Sequence, residues 1–266
     1  MSGLRVCVQG IGLLGPGLVS WESARAILRG EQAYVSLPTV LPPPARLPAA
    51  ERRRAGAAVK LALAVADEAV AQADVDPATL ATVFTSSSGE GANCHALCET
   101  LATSAPMVSP TRFTNSVHNA AAGCWHIAVA SRASSTSLCA FDGSFGAGLI
   151  EAASLVQSSR APLLLVASDS PYPEPLHSTR PLPDHFGTAL HLAPDRDART
   201  IAELTISLRP APCEFSSCDD PALDALRRAI PAARALPLLI ALARLRMPGR
   251  LVIEALPRLH VQIDLA

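Results

Sequence analysis

Lysine is almost missing from this 266-residue sequence: of 22 basic residues, only Lys60 is a lysine. A lysine Schiff-base mechanism therefore has one candidate, placed at a polar helix start. Long apolar runs are missing as well. No stretch reaches about 18 residues without a charge or a proline, so no membrane span is expected. The opening MSGLRVCVQG has no basic segment leading into a long apolar one, so no secretory signal is expected. Net charge is nearly absent, at −1, which removes the electrostatic case for nucleic acid or an anionic membrane as a partner. Cysteines do not form an even, regularly spaced framework. Cys7, Cys94, Cys98, Cys124, Cys139, Cys213 and Cys218 are odd in number and scattered, several in apolar segments, as for reduced thiols in a cytoplasmic protein. There is no repeat of 20–50 residues.

What is present is a core-forming chain: 49% hydrophobic and 17% charged. Leu4–Gln9 reads as a buried strand. The following GIGLLGPG reads as a tight strand-to-helix connection. Gly10, Gly12 and Gly15 match G-x-G-x-x-G, but Pro16 interrupts the expected helix and Glu31 precedes any second strand, which argues against a dinucleotide site. Helices are expected at Ser20–Arg29, closed by Gly30, and, as one long element, at Glu51–Ala73. Between them, the prolines of residues 36–48 require an extended loop. Ala81–Thr85 is a strand, and Ser86–Gly91 a loop into a helix at Asn93–Thr103. Thr111–Ser116 reads as a linker. A helix after Asn119, a strand at Ser134–Leu138, a glycine-bearing turn and a helix at Gly146–Gln157 follow. Ala161–Ala167 is the clearest buried strand. Further strands are expected at Thr188–Leu192, Ile201–Leu208, Leu251–Ala255 and His260–Leu265, with helices at Pro221–Ala229 and Ala235–Arg246, the latter interrupted near Pro237. This alternation predicts an α/β layered fold with a mixed sheet flanked by helices.

Several clusters invite chemistry. Cys94-His-Ala-Leu-Cys98 lacks a second pair at zinc spacing, so its cysteines read as a buried helix face and no metal is expected. Gly143-Ser144-Phe145-Gly146 resembles G-x-S-x-G, but Asp142 stands where the first glycine belongs, and no histidine is tied to Ser144. Asn119 is a favoured N-cap for the helix that follows, and His118 beside it is a donor for a carbonyl. Cys139 would be nucleophilic at a helix N-terminus, yet it precedes the helix by several residues and reads as a buried strand thiol. The turn Cys139–Gly146 joins a strand to a helix N-terminus, a natural place for acyl or anion chemistry.

LRVCVQGIGLLGPG resembles the opening of the β-ketoacyl synthases of the thiolase superfamily. VSPTRFTNSVHNAAAGCWHIAVASRASSTSLCAFDGSFGAGLIEAASLVQSSRAPLLLVASD resembles their central block: helix, strand, nucleophile turn, helix, and a strand ending near an acid. The order and spacing of these motifs carry the resemblance, over about residues 3–195. The fit is closest to the shortened ketosynthase-like proteins of aryl polyene, xanthomonadin-type pigment clusters. The resemblance implies a thiolase-like fold equivalent mainly to the N-terminal half of a ketosynthase. Residues 1–266 would form one domain, with 1–195 as core and 196–266 as a divergent part replacing the second thiolase half.

Two departures bear on activity. Matched backwards from the following helix and strand, the family's nucleophilic cysteine falls on Asp142, give or take one residue. Active synthases also carry two histidines and a lysine in their C-terminal half, where this sequence offers only His260 beyond residue 191. The resemblance thus implies a chain-length-factor-like subunit, catalytically silent and paired with a full-length ketosynthase. An acyl carrier protein would deliver the growing chain, and no cofactor is expected. Ser134, Ser135, Thr136, Ser137 and Leu138 would form the strand that meets the partner. Phe141, Phe145, His118 and Asn119 would be the pocket or chain-length residues. A Cys139-dependent acyltransferase is the competing reading. An acyl-carrier-protein binding module, using Arg52-Arg53-Arg54, is a third.

Overall fold

A computed structural model of the chain describes residues 3–244 and 249–265. Leu245 and Arg246, assigned above to a helix, lie outside the described residues. In chain order the strands are β1 (Leu4–Leu14), β2 (Ala81–Thr85), β3 (Ser135–Leu138), β4 (Leu163–Asp169), β5 (Phe186–Ala193), β6 (Ala202–Pro210), β7 (Gly249–Leu256) and β8 (Leu259–Leu265). The helices are α1 (Trp21–Arg29), α2 (Ala49–Arg54), α3 (Ala57–Ala73), α4 (Gly91–Leu101), α5 (Pro110–Asn115), α6 (Ala120–Ala128), α7 (Ser144–Ser159), α8 (Leu176–Thr179), α9 (Pro221–Ala229) and α10 (Leu236–Arg244). The described strands form one mixed sheet in the order β3-β2-β4-β5-β1-β6-β8-β7. β2 is parallel to β3 and β4, and every other pairing is antiparallel. One face packs on α7, α1, α9 and α10, and the other on α3 and α6.

Gly10 and Gly12 do not form a turn; the tight turn comes later, at Gly15–Leu18. β1 continues through both glycines to Leu14. A register shift between Val8 and Gly10 changes the alternation, so Val6 and Val8, then Ile11 and Leu13, all face the α7 layer. Gly10 and Gly12 face α3 instead. A Cβ on Gly12 would lie 1.9 Å from the Val65 carbonyl oxygen, and one on Gly10 2.1 Å from that of Ala69. Only glycine lets the helix backbone come this close. β6 pairs with β1 only as far as Val8. Beyond it, the N–H groups of Ile11 and Leu13 donate to Gln72 Oε1 (2.7 Å) and Glu68 Oε2 (2.8 Å) on α3. Glu68 also accepts from Trp21 N–H at the start of α1 (2.7 Å), and burial raises its pKa.

Four other expectations change. The long Glu51–Ala73 helix is two helices, broken at Ala55-Gly56; Gly56 is extended and caps α3 without a side chain. Thr111–Ser116 is not a linker but mostly the short α5, started by Pro110 and capped by Ser109. Pro237 does not interrupt its helix. It sits in the first turn of α10, where no N–H is required of it. Cys94 and Cys98 share α4 but are exposed rather than buried. α1 is closed as expected by Gly30, which is left-handed, and its N-cap is the Ser20 side chain.

Candidate functional site

The β3–α7 turn is a strained elbow. β3 ends at Leu138, a single 3-10 turn spans Phe141–Gly143, and α7 begins at Ser144. Phe141 has φ +53°, left-handed backbone that is costly for an aromatic residue. Ser144 braces it. Its hydroxyl donates to the Phe141 carbonyl (2.7 Å) and accepts from Ala140 N–H (3.1 Å). Thr85 Oγ1 holds the Ser144 carbonyl from β2 (2.8 Å). Ser144 is buried with its hydroxyl engaged on both sides, so it is a brace and not a hydrolase nucleophile.

Asp142, beside the strained residue, has both carboxylate oxygens occupied. Oδ1 accepts from Arg180 Nη2 at 2.6 Å and Oδ2 from Arg234 Nη2 at 3.1 Å. Arg234 also pairs with Glu254 of β7 at 2.5 Å. Arg180 lies 3.7 Å over the Phe141 ring and donates to Tyr172 Oη (3.1 Å). Two acids and two arginines close a charge-balanced network around the turn. The backbone of β7 closes it from another side: a Cβ on Gly143 would fall 1.9 Å from the Ala255 oxygen, and one on Gly146 2.2 Å from that of Glu254. The first turn of α7 is thus packed against chain backbone.

The family model described as β-ketoacyl synthase, N-terminal domain, matches residues 21–225. The chain belongs to the β-ketoacyl synthase family. Solved structures agree on the fold. A chain of the ketosynthase ApeO in complex with its chain length factor ApeC, from Xenorhabdus doucetiae, superposes at TM-score 0.72 and 22% identity, with 99% of each chain covered. A chain of the ishigamide ketosynthase/chain length factor gives 0.69 and 14%, covering 98% of this chain and 99% of that one. A chain of AntDE:AntF, a type II acyl carrier protein in complex with its hexaketide-bound ketosynthase, gives 0.73 and 13%, with 98% and 99% covered. What these share with this chain is the thiolase-like ketosynthase fold. A search of curated proteins returns no match.

Within this ketosynthase-family chain the other candidate residues separate. Cys139 is neither in the strand nor buried. It follows β3, is exposed, and its Sγ lies 3.5 Å from the Ser87 carbonyl. Phe145 is fully buried in the core between sheet and α7. Phe141 is 59% exposed. Asn119 occupies the N-cap position of α6 but makes no side-chain capping bond. His118 Nε2 lies 3.2 Å from the Ser86 carbonyl. His126, on α6, reaches Thr82 Oγ1 (3.1 Å), which itself bonds Ser135 Oγ (2.8 Å). Among the described residues no group of three His, Cys, Asp or Glu is placed to hold a metal ion, and no helix is long and apolar enough to cross a membrane.

β3 is an edge of the sheet. The Ser134 and Leu138 carbonyls accept from the N–H groups of Thr82 on β2 and of Ser86 just after it. By alternation, the N–H and C=O groups of Ser135 and Ser137 face outward. A groove of about 480 Å³ runs beside them, lined by His118, Asn119, Ala122, Gly123 and His126. Asp169, at the end of β4, ties the loop after β2 to the C-terminal region. It accepts from Ser86 Oγ, from Ser87 N–H and Oγ, and from Ala232 N–H, and burial raises its pKa. Arg180, Arg234, Glu254 and Glu90 escape sequence reasoning. For the two arginines, the only signal is an acid in a turn that needs a counter-charge; Arg180 and Arg234 lie 38 and 92 positions from Asp142 along the chain.

Proposed function

We propose that this chain is a non-catalytic, chain-length-factor-like subunit that pairs with an active ketosynthase in type II polyketide or fatty-acid-like synthesis, with an aryl polyene as product. The observation that carries the reading is the elbow. Matched backwards from the helix and strand that follow, the family's nucleophile position falls on Asp142, give or take one residue, and the Asp142 carboxylate is held by Arg180 and Arg234. A carboxylate held by two guanidinium groups is a weakened nucleophile, and an acyl group on it would be an anhydride rather than a thioester. The unpaired edge of β3, with Ser134–Leu138, is the surface we assign to the partner, since a free strand edge is a liability unless covered. Phe141, exposed beside that edge, and His118 and Asn119 at its groove are the residues we assign to the chain-length wall. Structures containing ketosynthase and chain length factor pairs share the fold end to end, which supports the pairing. The acyl chain would arrive on a carrier protein in the cytoplasm. Exposed Cys139 keeps the acyltransferase reading open to test.

The test has two arms. Co-expression with a full-length ketosynthase encoded beside it should yield a stable heterodimer; a monomer that captures no ketosynthase overturns the proposal. Incubation with an acyl thioester, followed by mass spectrometry, should leave Cys139 unmodified. An acyl adduct that disappears in Cys139→Ala would establish the enzyme instead.

A further inference from the structure

Glu90 is a buried acid that the elbow does not use. It is 5% exposed, and its Oε2 has no hydrogen-bond partner. It lines a cavity of about 20 Å³, room for about one water, with Ala58, Val59, Ser86, Gly89, His118 and Ser168. Its carboxyl group lies flat against Gly56, the joint between α2 and α3: a Cβ there would fall 2.8 Å from Oε2 and 2.9 Å from Oε1. On the other side Gly89, at φ +62°, is pressed against His118, where a Cβ would meet the ring at 3.2 Å. His118 in turn holds the Ser86 carbonyl and precedes α6. One carboxyl group therefore touches the joint of α2 and α3 and the start of α4, and reaches the start of α6 through the 86–89 loop.

Nothing opposite compensates a charge on it. Glu51 on α2 is an acid; Lys60 is a full turn into α3; Cys124 on α6 is a thiol pushed up to about 11 by burial and by Glu51 and Glu90. Asp169, past Ser168, is already occupied by Ser86, Ser87 and Ala232. His118 at the mouth has its Nε2 turned to the Ser86 carbonyl. Burial alone raises the Glu90 pKa to about 7. The segment it presses on is lightly anchored on one side, since α2 buries no side chain.

We propose that Glu90 is a proton-operated latch: protonated, it seals the joint of α2 and α3 and the start of α6; ionised, it opens them. Opening frees the His118 end of the groove beside β3, so surface exposure there follows pH around neutrality. The latch is a property of this chain alone and does not depend on the function proposed above.

Amide hydrogen exchange, expressed as protection relative to the intrinsic chemical rate, tests it. Between pH 6 and 8.5, protection at residues 55–60, 86–91 and 118–121 should fall about tenfold in the parent, the linkage expected for an acid that titrates near 7 closed and near 4.5 open. In Glu90→Gln it should stay level. Equal pH profiles in parent and variant overturn the latch. Should the variant not fold, an NMR titration of the parent Glu90 carboxyl carbon decides: a midpoint near 7 supports the latch, and one near 4.5 overturns it.

Discussion

At the scale of single residues, the elbow shows how an acid in a tight turn becomes structure. Asp142 is one-third exposed, while Arg234 and Arg180 are more deeply set. Removing its charge leaves two guanidinium groups facing each other without their shared anion. Asp142→Asn should therefore lower stability by about 2 kcal/mol, discounted for the exposure of the carboxylate, and the melting temperature by about 5 °C. Thermal unfolding at neutral pH checks this. An unchanged melting temperature would mean the network is decorative. The sequence carried the presence of this turn but not its apex. Matching backwards from α7 points to Asp142, give or take one residue, whereas the left-handed backbone falls at Phe141, one before it. Cys139 and Phe145 were harder still. Whether a residue near a strand end is inside or outside depends on which strands lie beyond it, and an edge strand leaves Cys139 in the open.

Elements carry a different lesson. Gly10 and Gly12 read as turn formers because glycine punctuates chains, yet here they thin a strand so that α3 can lie on it. Nothing within ten residues of them announces a helix starting at Ala57. Gly12→Ala would drive a methyl group into the Val65 carbonyl and should cost about 3 kcal/mol. Gly30→Ala is the contrast. Nothing lies within 4 Å of that site, so only the φ of +79° resists, and the cost should be about 1 kcal/mol. Denaturant titration of the pair checks whether close packing or turn geometry governs each glycine. The edge strand offers a third substitution. Ser137→Pro removes an outward N–H while leaving the bonds from Ser134 and Leu138 to Thr82 and Ser86 in place. The isolated chain should keep its melting temperature within about 1 °C. Capture of a ketosynthase should be lost. Retained capture would show that the partner does not use this edge.

For the molecule as a whole, two buried groups on the α3 side of the sheet set opposing pH dependences. His191 on β5 is 1% exposed with neither ring nitrogen bonded, and its pKa is lowered to about 4, first by burial and then by Arg199. A base lowered on folding gains its proton in the unfolded state first. Its contribution is therefore complete above the ordinary value of 6.5 and is lost as pH falls toward 4. Glu90, raised by burial to about 7, runs the other way. Its contribution is complete below 4.5 and is lost as pH rises toward 7. Between pH 4.5 and 6.5 the two slopes, each about 1.4 kcal/mol per pH unit, cancel. The parent should accordingly show little pH dependence from this pair, and single substitutions should expose what it hides. Relative to the parent, Glu90→Gln should gain stability steadily from pH 4.5 to 7, by about 3 kcal/mol in all. His191→Leu should gain as pH falls from 6.5 to 4, by a similar amount. Urea unfolding at five pH values measures both differences. Flat difference curves would mean that water reaches these groups in the folded state, and that the sheet is less tightly covered by α3 than its glycine contacts indicate.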